Sequence, residues 1–217
     1  MNRLSVFDVD GTLFRLPPLE LRFMGYLLRR GVLNTPLILR SLAGGVVHGL
    51  RNGAGLRNYP RFWMQGLKLT ALQCQAEAFL NRNMEQLLLP AMADRMDESL
   101  REGYLAVLIS GIPEFLLESI GRRLGSHRIA GTRLLTDSSG IVTGAYEHPR
   151  PHGPGKSHHL LRIADEVGAD LRLSVGYANE GTDAYHLALL GKAVAVNPDR
   201  NLMRLADHLG WEKLHAE

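Results

Sequence analysis

Short apolar runs that stop at polar clusters recur along this chain, and stretches of helical periodicity separate most of them. Leu4 to Val9 is one such run and leads into Asp8-Val9-Asp10-Gly11-Thr12, and Leu105 to Ser110 is a second, ending at Ser110-Gly111. Runs this short, bounded by turn residues, predict strands buried on both faces. Leu171 to Tyr177 and Ala193 to Val196 are further strand candidates. Between them, IPEFLLESIGRRLG carries Pro113 in its first turn, Glu114 and Glu118 early, Arg122 and Arg123 late, and Gly125 as a stop, which predicts a helix with both end signals. The stretch KSHHLLRIADEVG puts Leu160, Ile163, Ala164 and Val167 on one helical face before Gly168, and Thr182 to Leu190 reads as another helix. Alternation around Asp137-Ser138-Ser139-Gly140, from Arg128 to Tyr146, predicts a strand and then a hairpin. Strands alternating with helices imply an α/β fold built on a doubly wound, Rossmann-like parallel sheet.

The span from about Arg15 to Pro90 breaks this rhythm. It is leucine-rich, helical in pattern and without a clear strand, so it reads as a helical cap inserted after the first strand. The expected division is a core of residues 1–15 and 90–217 with a cap of residues 16–89, which suits a chain of 217 residues. Charge divides the same way: the Arg15 to Pro90 span has ten basic residues against Glu20, Glu77 and Glu85, net +7, whereas the whole chain is only +3. The most apolar stretch, Thr35 to Leu50, is interrupted by Arg40 and His48 and is too short to cross a bilayer. MNRLSVFDVDG lacks the apolar core and cleavage site of a signal peptide, and the single cysteine, Cys74, permits no internal disulfide, so a cytoplasmic location is expected. Cys74 itself reads as a small buried apolar residue.

In open parallel sheets, ligands bind outside the carboxyl ends of the strands. Three polar clusters fall there: the Asp8 to Thr12 segment, Ser110-Gly111, and Asn179-Glu180-Gly181-Thr182-Asp183. Two carboxylates two residues apart suit phosphoryl transfer, with Asp8 attacking and Asp10 giving and then taking the proton. Gly11 permits the tight turn that aims both acids and the neighbouring Thr12 at one pocket. A carboxylate and a phosphate repel, so the site needs a cation and pointed donors. Mg2+ takes oxygen ligands, for which Asp8, Asp10, Asn179 and Glu180 are the candidates. Ser110 and the Gly111 amide, expected at a helix start, form an anion site, and Lys156 supplies fixed positive charge.

The segments VFDVDGTL, LISG, GKSHHL and ANEGTDAYHLALLGKAVAVNPD, in this order, resemble the haloacid dehalogenase superfamily, in particular its phosphoserine-phosphatase-like branch, subfamily IB. The resemblance covers the core and implies a C1-type cap, Mg2+ dependence and an aspartyl-phosphate intermediate. Asp8, Asp10, Ser110 and Lys156 match the family's functional positions, and Asp10 is typical of its phosphatases. One departure is visible: counting back from Gly191 makes Asp183 the second acid of the last motif and puts Asn179 where the family usually has a metal-binding aspartate. Asn179 can ligate through its carbonyl oxygen, with Glu180 supplying the missing charge and Asp183 in support.

Phosphoserine phosphatases of the family carry a glutamate for the substrate amine shortly after the first motif. Pro17 stands at that position here, and Glu20 substitutes only if the local helix is shifted, so a simple amino-acid phosphate is not expected. YLLRRGVLNTPLIL is similar to the cap of the superfamily's bacterial phosphatidylglycerophosphate phosphatases, which extends the expected substrates to lipid-linked as well as small phosphates. Peripheral membrane contact is expected there through Arg29, Arg30 and Arg40, with Leu27, Leu28, Leu37 and Leu39 facing acyl chains or the interior. The rival class is a phosphate-binding or sensing protein with weak turnover because of Asn179. Nucleic acid is not an expected partner, since Tyr26, Tyr59, Phe62 and Trp63 form no base-stacking motif. His148, His152, His158 and His159 crowd together, but His158 and His159 are adjacent on a helix and diverge, so zinc is not expected.

Overall fold

The computed structural model describes residues 1–33, 39 and 62–216. Strands β1 (Leu4–Phe7), β2 (Leu105–Pro113), β3 (Arg128–Thr132), β6 (Val175–Ala178), β7 (Lys192–Val196) and β8 (Glu212–Leu214) form a parallel sheet in the order β3-β2-β1-β6-β7-β8. The order reverses between β1 and β6, so the crevice at the switch point opens beside Asp8. Alternate residues of the central strands serve opposite layers. Phe7, Ala106 and Leu108 join one apolar cluster, whereas Leu4, Val6, Val107 and Ile109 join another with Leu160 and Ile163. Burial on both faces is why β1 and β2 read as unbroken apolar runs.

Helices α4 (Glu114–Leu124) and α5 (Pro154–Val167) match their sequence signals, and each ends on a left-handed glycine, Gly125 or Gly168. The expected hairpin forms from β4 (Leu134–Thr136) and β5 (Val142–Tyr146). The last third of the chain departs from expectation. Leu171–Leu173 is a 3-10 turn, set by the Asp170 carboxylate accepting from the Arg172 amide, and the strand starts only at Val175. The stretch expected to be one helix from Thr182 to Leu190 is a 3-10 turn at Gly181–Asp183 followed by α6 (Ala184–Leu187). Helix α7 (Arg200–Leu209) and β8 complete the sheet.

Among the described residues between β1 and β2, α1 (Leu19–Arg29) and α2 (Leu69–Leu87) are helical as expected, and α3 (Pro90–Arg101) returns the chain to β2. The ends of the insertion meet: the Arg15 amide donates to the Leu87 carbonyl and the Leu89 amide to the Leu13 carbonyl. Leu27 is buried in the core, whereas Leu28, Arg29, Arg30 and Leu39 are exposed; Arg40, Leu37 and most of the Thr35 to Leu50 stretch lie outside the described residues. Cys74 is exposed on α2, contrary to its expected burial. None of the described helices is long and apolar enough to cross a membrane.

Candidate active site

The segment after β1 folds into a tight loop because the Val9 carbonyl accepts from the amides of Thr12, Leu13 and Phe14. Gly11 makes the turn at φ +82°, and its missing side chain leaves room for the Asn179 carboxamide, which lies 2.1 Å from where a Cβ would stand. The loop turns Asp8 inward. Its Oδ1 accepts from the Lys156 ammonium at 2.6 Å and its Oδ2 from the Thr12 hydroxyl at 3.1 Å. Lys156, in the first turn of α5, also donates to Asp183 Oδ1 at 2.6 Å, and all three ionic groups are buried. Asp183 is braced by the Glu180 amide, which donates to its Oδ2. One lysine therefore links the first cluster to the third.

Asp8, Asp10, Ser110, Gly111, Lys156, Asn179, Glu180 and Asp183 line one cavity of about 360 Å³. Ser110 reaches it by a route the sequence did not indicate. It was expected at a helix start, yet β2 runs on to Pro113 and α4 begins at Glu114. The β2–β3 register shifts between Ile109 and Pro113, so Ser110 and Gly111 leave the regular ladder at the cavity. The Ile112 amide donates to the Ser110 hydroxyl, and the Gly111 carbonyl accepts from Thr132 and Arg150. Ser110 and Gly111 therefore sit at a strand irregularity and not at a helix terminus.

Burial pushes the Asp8 carboxyl up to about 7, because its loss of hydration outweighs the Lys156 charge and Asp183 adds repulsion. Burial also raises Asp10, to about 6, against the Leu19 amide that donates to its Oδ1 at 2.7 Å. Asp183 is held below its ordinary range: burial opposes ionisation, but Lys156 prevails. Lys156 stays charged since the two carboxylates overcome its burial. A poised acid thus sits beside an anchored carboxylate.

The cavity lining holds the carboxylates of Asp8, Asp10, Glu20, Glu180 and Asp183 against the cations of Lys156 and Arg150. Asn179 Oδ1 is buried and has no hydrogen-bond partner among the described residues. Excess negative charge and an orphaned carbonyl oxygen fit an oxygen-seeking dication. Glu180 lines the cavity, but its carboxylate also caps the 181–183 turn in a reciprocal pair with Asp183. No group of three His, Cys, Asp or Glu side chains with metal-holding geometry occurs among the described residues.

Arg150, His152 and Trp63 line the cavity without having been expected there. Arg150 donates through Nε to Thr132 and through Nη2 to the Gly111 carbonyl, pinning the loop before α5 to the end of β2. His152 and Trp63 also line the cavity, while His148, His158 and His159 line a separate one. Glu20, which was judged dependent on a shifted helix, is in the first turn of α1, lines the cavity and accepts from the Trp63 indole at 3.2 Å. His186 is fully buried, 3.9 Å from Asp183, and burial drives its pKa down to about 3. Only Glu20, by its position after the first motif, and His152, by local crowding, carried any signal in the sequence.

This parallel sheet, with its acidic loop after the first strand and a lysine returning from a later helix, defines a hydrolase of the haloacid dehalogenase type. A family model described as haloacid dehalogenase-like hydrolase matches residues 5–187, and the chain belongs to that family. It is 34% identical over 136 residues to phosphoserine phosphatase SerB1 of Mycobacterium tuberculosis, covering 59% of this chain and 44% of that protein. It is 26% identical over 224 residues to histidinol-phosphatase of Neisseria meningitidis, covering 99% of both. A solved structure of a protein of unknown function from Bordetella pertussis shares the fold with a TM-score of 0.82, at 21% identity over 99% of each chain. The match to the mycobacterial protein spans less than half of that relative's length.

Proposed function

We propose that this enzyme is a Mg2+-dependent phosphomonoesterase that works through an aspartyl-phosphate on Asp8. In this reading the catalytic core is residues 1–15 and 90–217, and residues 16–89 are the cap. The observation that carries the reading is the Lys156 ammonium, 2.6 Å from both Asp8 and Asp183, in the cavity that also holds Asp10 and Ser110. The names of the phosphoserine and histidinol phosphatases among its relatives support phosphorylated small molecules as substrates.

Ser110, Gly111, Thr12 and Lys156 bind the phosphate, with Gly11 keeping the backbone close. An Asp8 oxygen bonds to phosphorus as the ester P–O bond breaks, and Asp10, protonated below about 6, gives its proton to the departing oxygen. Asp10 then takes a proton from water, whose oxygen attacks the aspartyl-phosphate and releases inorganic phosphate. Asp8, the Asp10 carbonyl and Asn179 Oδ1 would hold Mg2+, with Glu180 nearby. When bound, the dication neutralises the charge that carboxylates and phosphate bring together. Asp183 keeps Lys156 in place.

Release of inorganic phosphate from a generic aryl phosphate, with and without Mg2+, tests this. Activity that disappears in Asp8→Asn supports the enzyme; phosphate binding with no turnover in the unaltered protein favours the binding or sensing alternative. A second reading, peripheral membrane contact, is favoured by the exposed Leu28 and Arg29 at the end of α1 and Arg30 just after it. Sedimentation with anionic liposomes at low and physiological salt tests it, and absence of binding at both ends it.

A further inference from the structure

We propose that Arg150 and Thr132 are positioning residues for phosphoryl transfer, which aim the Ser110 hydroxyl at the substrate's phosphate by holding the Gly111 carbonyl. This rests on the phosphatase reading above. The need for them comes from the strand irregularity. Ile109 pairs with Ala130 and Pro113 with Thr132, so residues 110–112 of β2 face Gly131 alone on β3. One residue cannot serve three in a regular ladder, and the main-chain groups between those pairs need other partners. For the Gly111 carbonyl the partners are side chains. The Thr132 hydroxyl donates to it at 2.7 Å and Arg150 Nη2 at 3.1 Å, while Arg150 Nε donates to Thr132 Oγ1 at 3.1 Å and closes a ring of three bonds.

The Gly111 carbonyl and the Ile112 amide belong to one trans peptide, so they point in opposite directions. With the carbonyl held by Thr132 and Arg150, the Ile112 N–H is turned to Ser110 and donates to its hydroxyl oxygen at 3.4 Å. That bond occupies a lone pair of the oxygen and leaves the hydroxyl proton to be given to an acceptor in the cavity that Ser110 lines. The guanidinium is a permanent cation, and its pull on the carbonyl polarises the peptide and strengthens the N–H as a donor. Glycine at 111 lets it approach, since a Cβ there would stand 3.1 Å from Arg150 Nη2. Thr132 is fully buried and does not line the cavity, so it acts on the phosphate only through this peptide. The main chain at Arg150 has anchors of its own: its carbonyl accepts from the His152 amide at 2.8 Å and lies 1.8 Å from where a Cβ on Gly155 would stand. The course of the loop therefore does not depend on the guanidinium.

The test is a double-mutant cycle on aryl phosphate hydrolysis by the full chain with Mg2+. Arg150→Ala and Thr132→Val should each lower kcat/KM by about ten- to a hundredfold, and Ser110→Ala by about a hundredfold. In the Ser110→Ala background either change should cost less than about a further twofold, because no hydroxyl is left to aim. Thr132→Ser keeps the donor and should retain the activity that Thr132→Val loses. If the unaltered protein hydrolyses the ester, three results overturn this inference alone: losses that multiply with Ser110→Ala, as direct contact of Arg150 with phosphate or displacement of Lys156 would give; undiminished activity in Arg150→Ala or Thr132→Val; and a Thr132→Ser variant as slow as Thr132→Val. No hydrolysis by the unaltered protein overturns the phosphatase reading and this inference with it.

Discussion

The Lys156 ammonium joins Asp8 to Asp183, which stand 148 and 27 residues from it in the chain, and all three are shut away from solvent. One cation compensates two carboxylates, so the triad holds the ends of β1 and β6 and the start of α5 in register.

Removing the cation should therefore cost both stability and activity. Lys156→Met leaves two buried carboxylates unpaired, and urea unfolding should show a loss of about 3–5 kcal/mol. Aryl phosphatase activity should fall at least about a hundredfold. A loss of stability below about 1 kcal/mol would mean that water reaches the triad.

Gly11→Ala should be damaging on two counts. Its φ of +82° disfavours a side chain, and the added carbon would occupy the space of the Asn179 carboxamide. The expected cost is about 1–3 kcal/mol in denaturant titration, with weakened Mg2+ binding because Asn179 must move. Wild-type stability and metal affinity in the variant would contradict the close approach.

The raised carboxylates set a pH dependence. In metal-free protein Asp8 is held at about 7 and Asp10 at about 6, against 3.8 for each when unburied. Between these values the folded state retains protons that the unfolded chain has released. The stability they confer is full below about pH 4 and is lost as pH rises through 6 and 7. The melting temperature in chelator should fall by several degrees from pH 4 to 7, and Asp8→Asn should flatten that fall. A melting temperature rising across this window would reverse the assigned sign.

Asn179→Asp should tighten Mg2+ binding, by about tenfold, since a carboxylate replaces a neutral ligand next to a dication. Titration calorimetry and the Mg2+ concentration for half-maximal activity both report it. An unchanged or raised metal requirement would remove Asn179 from the ligand set.

The strand ends were legible because a strand buried on both faces is an unbroken apolar run, and the run must stop where polar side chains reach solvent or ligand. Asp8, Asp10, Ser110 and Asn179 stand at such ends and line one cavity, and α4 and α5 were legible because their caps are local. Residues 171–190 were misread because the decisive contacts are short-range side-chain bonds that compete with the regular pattern: Asp170 on the Arg172 amide, and the Glu180–Asp183 cap. Helix α7 had a usable signal in Asp199, whose carboxylate accepts from the Leu202 amide, and it went unread.

Periodicity, turn residues and motif order are properties of neighbours along the chain, and they determined the sheet, its polar ends and the family. The pairing of Lys156 with Asp8 and Asp183, the exit of Ser110 through a strand irregularity, the arrival of Arg150 at the Gly111 carbonyl and the turn of Glu20 and Leu21 into the cavity belong to the tertiary structure. Each joins segments far apart in sequence, and burial, which sets their charge states, exists only once those segments have packed.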